Sequence, residues 1–116
     1  MEGSLLRFYV HEGQRHHGKL VWEWLLEEAN KLDICGGSAF RALAGFGRHH
    51  TLREQRFFEL AGTQSIELEF LLTDTDARRL LALVHHEKLK LFYAHIPARF
   101  GIVDPDDPNP PQLTTT

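Results

Sequence analysis

Cysteine is nearly absent: Cys35 is the one thiol in 116 residues, so no disulfide within the chain can hold a fold together and a packed core must do so. Long apolar runs are missing too. Nothing approaches the roughly 20 apolar residues of a membrane helix, and the opening Met1-Glu-Gly-Ser4 lacks the basic start of an export signal. The expectation is a soluble cytoplasmic protein that meets a membrane only through a partner. A cationic excess is also lacking: the formal net charge is -3, with 13 Lys and Arg scattered among 16 acids, which excludes electrostatic, sequence-independent nucleic-acid binding. Proline is scarce until the end, where Pro105, Pro108, Pro110 and Pro111 crowd together. That composition cannot bury enough surface to order itself, and 104–116 reads as a disordered tail.

What is present, 42% hydrophobic and 25% charged residues, is ordinary for a globular chain, and the length allows one core. That core belongs to a single domain over 1–103. Leu6, Phe8 and Val10 alternate with Leu5, Arg7 and Tyr9, the period of a strand. A glycine-containing loop, 11–18, leads to a helix over 19–33 whose apolar arc is Val21, Trp22, Leu25, Leu26, Ala29 and Leu32. Gly36 and Gly37 stop it. Trp24 falls off that arc, so its ring either packs on a neighbouring molecule or caps a core edge wider than the wheel suggests. A second strand runs from Ser38 to Phe46, with Phe40, Ala42, Ala44 and Phe46 on one face.

The segment 47–64 has no clean period and is rich in His, Arg, Glu and Gln, which marks a long loop. Ile66, Leu68, Phe70 and Leu72 alternate with acids in the clearest strand of the chain. Thr73 to Asp76 fits a capping box for a helix with the stripe Ala77, Leu80, Leu81 and Val84, and 89–96 reads as the last strand. The order strand, helix, strand, strand, helix, strand predicts an α+β, ferredoxin-like βαββαβ fold, with two helices on one face of a four-stranded antiparallel sheet. The other sheet face needs a cover, and self-assembly supplies one.

Gly45, Phe46, Gly47 and Arg48 combine backbone freedom with a guanidinium, the chemistry of an anion seat or simply of a turn. Six of the eight histidines sit in adjacent pairs: His16-His17, His49-His50 and His85-His86. Adjacent residues diverge on a strand or helix, so solvated loop histidines are the default and no metal ligand set is assigned. A metal-binding or metal-responsive trimer is the alternative, because imidazole suits zinc and copper. Cys35 lacks basic neighbours that would activate it and is expected to be a small buried filler. No nucleophile with a base and no carboxylate pair at helical spacing is found. Glu67 and Glu69 are explained by alternation, and no enzyme is expected.

Gly36-Gly-Ser-Ala-Phe-Arg-Ala-Leu-Ala-Gly-Phe-Gly-Arg48, followed by His50-Thr51, resembles the PII signalling proteins where the second strand enters the T-loop. Ile66 to Asp74 is similar to their third strand, and Lys90-Leu-Phe-Tyr93 to their fourth. The start Leu6-Arg-Phe-Tyr-Val10, His17-Gly-Lys19 and the Gly-Phe-Gly turn resemble more narrowly the bacterial PII-like family called domain of unknown function 190. The resemblance implies a homotrimer with a small anion, commonly an adenyl nucleotide, held between subunits, and a T-loop-like segment at 47–64 that docks on a transporter, channel or enzyme. It assigns ligand contacts to Gly45, Phe46, Gly47, Arg48, Leu71 and Lys90, and partner contacts to His49, His50, Arg53, Arg56, Phe57 and Phe58. Glu87-Lys-Leu-Lys90 replaces the family's Gly-Asp-Gly-Lys phosphate loop, Ala39 and Arg41 replace hydroxyl residues near the base, and His49 replaces a glutamine. AMP or ADP is therefore expected rather than ATP, and no cofactor is required.

Overall fold

The computed structural model describes residues 1–45 and 65–113. A sheet of four antiparallel strands carries two helices on one face. Its strands are β1 (Glu2–His11), β4 (Gly37–Arg41), β5 (Ser65–Leu72) and β6 (Phe92–Arg99), in the order β4-β5-β1-β6. The helices are α1 (Val21–Lys31) and α2 (Asp74–His86), and two short strands, β2 (Arg15–His16) and β3 (Lys19–Leu20), pair with each other ahead of α1. This is the ferredoxin-like arrangement expected from the alternation and helical stripes.

β1 is the central constraint, paired with β5 along one edge and β6 along the other. Ser4, Leu6, Phe8 and Val10 point to the helix side, where Ile66, Leu68, Phe70 and Leu72 of β5 join them. Val21, Trp24, Leu25 and Ala29 of α1, with Ala77, Leu80 and Val84 of α2, close the core from above. Phe8 and Phe70 meet edge to face at 6.2 Å between ring centroids, a favoured aromatic geometry. Gly37 is needed beside them, since a Cβ there would lie 2.5 Å from the Phe70 ring.

Several boundaries differ from the sequence reading, and each has a local cause. α1 ends before the glycines because Asp33 adopts the left-handed conformation (φ 64°). Ile34 N then donates to Ala29 O and Asp33 N to Asn30 O, both at 3.1 Å, which is a Schellman ending. α2 finishes the same way: Lys88 is left-handed (φ 60°), Leu89 N donates to Val84 O at 3.2 Å and Lys88 N to His85 O at 3.0 Å. At its other end the Thr73 hydroxyl accepts from Asp76 N at 3.1 Å, the cap the sequence predicts.

The second strand is shorter than expected, ending at Arg41 rather than Phe46. Ala42 N still reaches Ser65 O at 2.9 Å, but Ala42-Leu-Ala-Gly45 has little strand propensity and leaves the ladder. β6 starts and ends three residues later than the alternation suggested, because the turn after α2 takes residues through Leu91. Trp24 is 6% exposed and belongs to the core. Of the two placements open to it, the core edge is the one found, and the β2–β3 hairpin, folded back over the start of α1, covers it with His16 at 4.9 Å between centroids. Cys35 is exposed, not buried, since it follows the Schellman turn on the outside of the chain. Residues 101–113 are exposed and held by local turns, in which Asp104 and Asp107 side chains accept from Asp106 N and Asn109 N.

Asp33 pays a steric cost in the left-handed region that glycine avoids. Asp33→Gly is therefore expected to raise the urea midpoint, by about 1 kcal/mol of unfolding free energy at unchanged m-value.

Candidate functional site

The two ends of the sheet have different chemistry. At one end β1 leads into the hairpin, β4 leads out towards residue 46, and α2 turns into β6. Gly45 is exposed there, and Arg41, at the mouth of β4, is ion-paired with Glu12, which raises the pKa of the guanidinium. Lys90 lies at the same end, on an open concavity formed by His85, His86, Lys88, Leu89 and Lys90. Gly45 follows β4 and Lys90 precedes β6, the two edge strands of the sheet, which stand three strand spacings or about 14 Å apart.

Leu71 is 45% exposed near the far end of β5, on the face without helices. One chain thus does not bring its described ligand candidates together. Phe46, Gly47 and Arg48, and the loop residues His49, His50, Arg53, Arg56, Phe57 and Phe58, lie outside the described residues.

The helix-free face has a definite pattern. Strand register lines up Phe40, Glu67, Tyr9 and Phe92 in one row, Ser38, Glu69, Arg7 and Ala94 in the next, and Leu71, Leu5 and Ile96 in a third. Phe40, Phe92 and Ile96 are 51%, 50% and 41% exposed. Tyr9 and Phe92 meet edge to face at 5.5 Å. Arg7 stands in the middle, bonded to Glu69 through Nη2 at 2.6 Å and Nε at 2.9 Å, and its pKa is raised by the Tyr9 hydroxyl and the Glu69 carboxylate. Two largely apolar rows flanking a fixed ion pair form a face suited to a specific contact.

Sequence reasoning missed two constellations. At the far end of the sheet the Ser4 hydroxyl lies 2.5 Å from Asp74 Oδ1 and 2.6 Å from His95 Nε2. It superficially matches a nucleophile with its base. The single hydroxyl hydrogen goes to the carboxylate, so His95 Nε2 carries a hydrogen and donates to Ser4, the reverse of what activation requires. Ser4 is also fully buried and out of a substrate's reach. The trio ties β1, α2 and β6 together; only strand register could have disclosed it, since Ser4 faces Pro97 and Leu72.

The second constellation joins the hairpin to the end of α2. His17 (φ 51°) and Gly18 (φ 81°) occupy the centre of the tight β2–β3 turn, and both being left-handed marks a type I′ hairpin. The turn swings the imidazoles of His16 and His17 to the same side, with centroids 4.1 Å apart. His16 Nε2 lies 2.9 Å and His17 Nε2 3.7 Å from Glu87 Oε1. The His16 hydrogen bond is the main cause of a lowered Glu87 pKa, with the charges of His16, His17 and His86 adding to it against desolvation.

A family model described as Uncharacterized ACR, COG1993, the domain of unknown function 190, matches residues 3–90. The chain belongs to this PII-like family. It is also 30% identical over 78 residues to a UPF0166 protein of Aquifex aeolicus, an alignment that covers 67% of this chain and 74% of the relative. The matched span of the DUF190 family includes β1, both helices, β4, β5 and Lys90, and stops short of β6. No helix among the described residues is long and apolar enough to cross a membrane.

The buried trio gives a direct expectation. Ser4→Ala leaves Asp74 and His95 without their shared partner and should destabilise the protein by about 1–3 kcal/mol in urea unfolding. A neutral result would mean that water replaces the hydroxyl.

Proposed function

We propose that this chain is a regulatory, non-catalytic PII-like protein. It assembles as a homotrimer through the helix-free sheet face, takes a small anionic ligand between subunits, and passes the ligand's presence through 47–64 to a transporter, channel or enzyme. The observation that carries the reading is that face: exposed aromatic and aliphatic rows around the Arg7–Glu69 pair, in a chain of a PII-like family. A monomer would leave these rows in water.

The scatter of ligand candidates supports the same conclusion. Gly45, Lys90 and Leu71 occupy three separate corners of one chain, so a single pocket using all three requires a second copy. Arg41 is engaged by Glu12, and Lys90 is an exposed cation on the turn after α2. Because Glu87-Lys-Leu-Lys90 stands where PII proteins carry a Gly-Asp-Gly-Lys phosphate loop, an adenyl nucleotide with one or two phosphates is the proposed ligand rather than a triphosphate. The cytoplasm is the compartment that supplies such a ligand.

Two measurements test the proposal. Light scattering of the untagged protein should give a trimer, and Arg7→Glu, which sets two carboxylates beside each other on the face, should shift it towards monomer while circular dichroism stays native. A wild-type monomer would remove the cleft. Calorimetry with AMP, ADP and ATP should show AMP or ADP binding to the trimer, weakened by about tenfold in Lys90→Ala, the loss of one charge-assisted contact. A trimer that binds none of the three would refute the nucleotide assignment.

A further inference from the structure

We propose that His16, His17 and Glu87 form a site for a divalent late transition-metal ion, zinc foremost, with the fourth coordination position left to water. Among the described residues they are the cluster whose ligand atoms converge, all within 4.8 Å of one another. A tetrahedral zinc ion with bonds near 2.0–2.1 Å holds its ligand atoms about 3.3 Å apart. The 2.9 and 3.7 Å separations from Glu87 Oε1 to the two imidazoles already bracket that value. Closing the set needs side-chain adjustments well within the reach of an exposed histidine.

Both halves of the site are held by backbone turns rather than left to side-chain chance. The type I′ hairpin presents two consecutive imidazoles on one side, which neither a strand nor a helix would do. The Schellman turn at Lys88 fixes Glu87 as the C-cap of α2. A carboxylate there is unfavourable, because the helix C-terminus already carries partial negative charge. Among the described residues Glu87 has no lysine or arginine ion-pair partner and faces the two imidazoles. A divalent cation held between the three side chains would offset both the carboxylate and the helix end.

Accessibility is graded as a metal site of this type requires. The His16 side chain is 12% exposed and leans its ring on Trp24, Glu87 is 27% exposed, and His17 is 77% exposed, leaving one side open for entry and for water. Two histidines, a carboxylate and an open position suit zinc. The ion would clamp the hairpin to the turn carrying Lys88 to Lys90.

The full chain, purified without a histidine tag and stripped with a chelator, is titrated with zinc by calorimetry and with cobalt(II) by visible absorption. The expected result is one ion per chain with cobalt bands of four-coordinate intensity. His17→Ala and Glu87→Gln should each weaken zinc binding by at least about tenfold. His85→Ala and the double variant His49→Ala/His50→Ala should leave it unchanged. His17 is exposed and Gln can keep the hydrogen bond to His16, so both test variants should match the wild-type circular dichroism. Absence of binding, unchanged affinity in His17→Ala, or loss in the His49/His50 double variant instead would each overturn the assignment. No nucleotide is present in this assay, so its outcome is independent of the inter-subunit cleft.

Discussion

Hydrogen bonding of β1 along both of its edges is the constraint from which the rest of the molecule follows. With β5 on one side and β6 on the other, the strand cannot rotate or slip without turning every side chain to the wrong face. Ser4, Leu6, Phe8 and Val10 are thereby committed to the helices, and Leu5, Arg7 and Tyr9 to the open face. The same register that builds the core places Arg7 opposite Glu69 and sets the apolar rows on either side of that pair. A buried core and a patterned outer face are two consequences of one alternation.

Left-handed residues outside glycine mark where the chain bears local cost. Among the described residues they are His17, Asp33 and Lys88. Asp33 closes α1 and Lys88 closes α2, and in both places the Schellman hydrogen bonds satisfy carbonyls that would otherwise be stranded. His17 is different, since asparagine, aspartate or glycine would suit its turn better. Two of the three, His17 and Lys88, flank the imidazole–carboxylate cluster. Left-handed backbone at both turns that hold the convergent side chains fits a geometry that serves binding.

The fold was legible because periods of 2 and 3.6 are explicit in residues 5–10, 66–72 and 77–84, and because Thr73 announces its helix. The end of α1 was not, since the expected glycine signal at Gly36 comes after a turn made by an aspartate. The two placements of Trp24 stayed open for a tertiary reason: a helical wheel contains no information about a hairpin that folds over it. The histidine pair was judged by strand and helix geometry, in which neighbours diverge, whereas a type I′ turn makes them converge. Leu71 and Lys90 were legible as candidates only through family resemblance, Gly45 also through the glycine and arginine chemistry of its segment, and nothing in one chain's register unites the three.

A division of labour between the two ends of the sheet accounts for this unevenness. At the Leu72 and Arg99 end, Ser4, Asp74 and His95 cross-tie two strands and a helix, and Arg99 pairs with Glu2 at 2.8 Å. That end is fastened through side chains that sequence spacing cannot connect. At the His11 and Ser65 end lie the hairpin, the exit of β4 and the α2–β6 turn, with Gly45, Lys90 and the His16–His17–Glu87 cluster among them. On the proposed reading, ligand-dependent movement of loops at this end would spare the side-chain ties of the other end and so cost little of the global stability. The proposed signal, which would have to leave the domain without unfolding it, would be best generated at such an end, where β4 makes its exit.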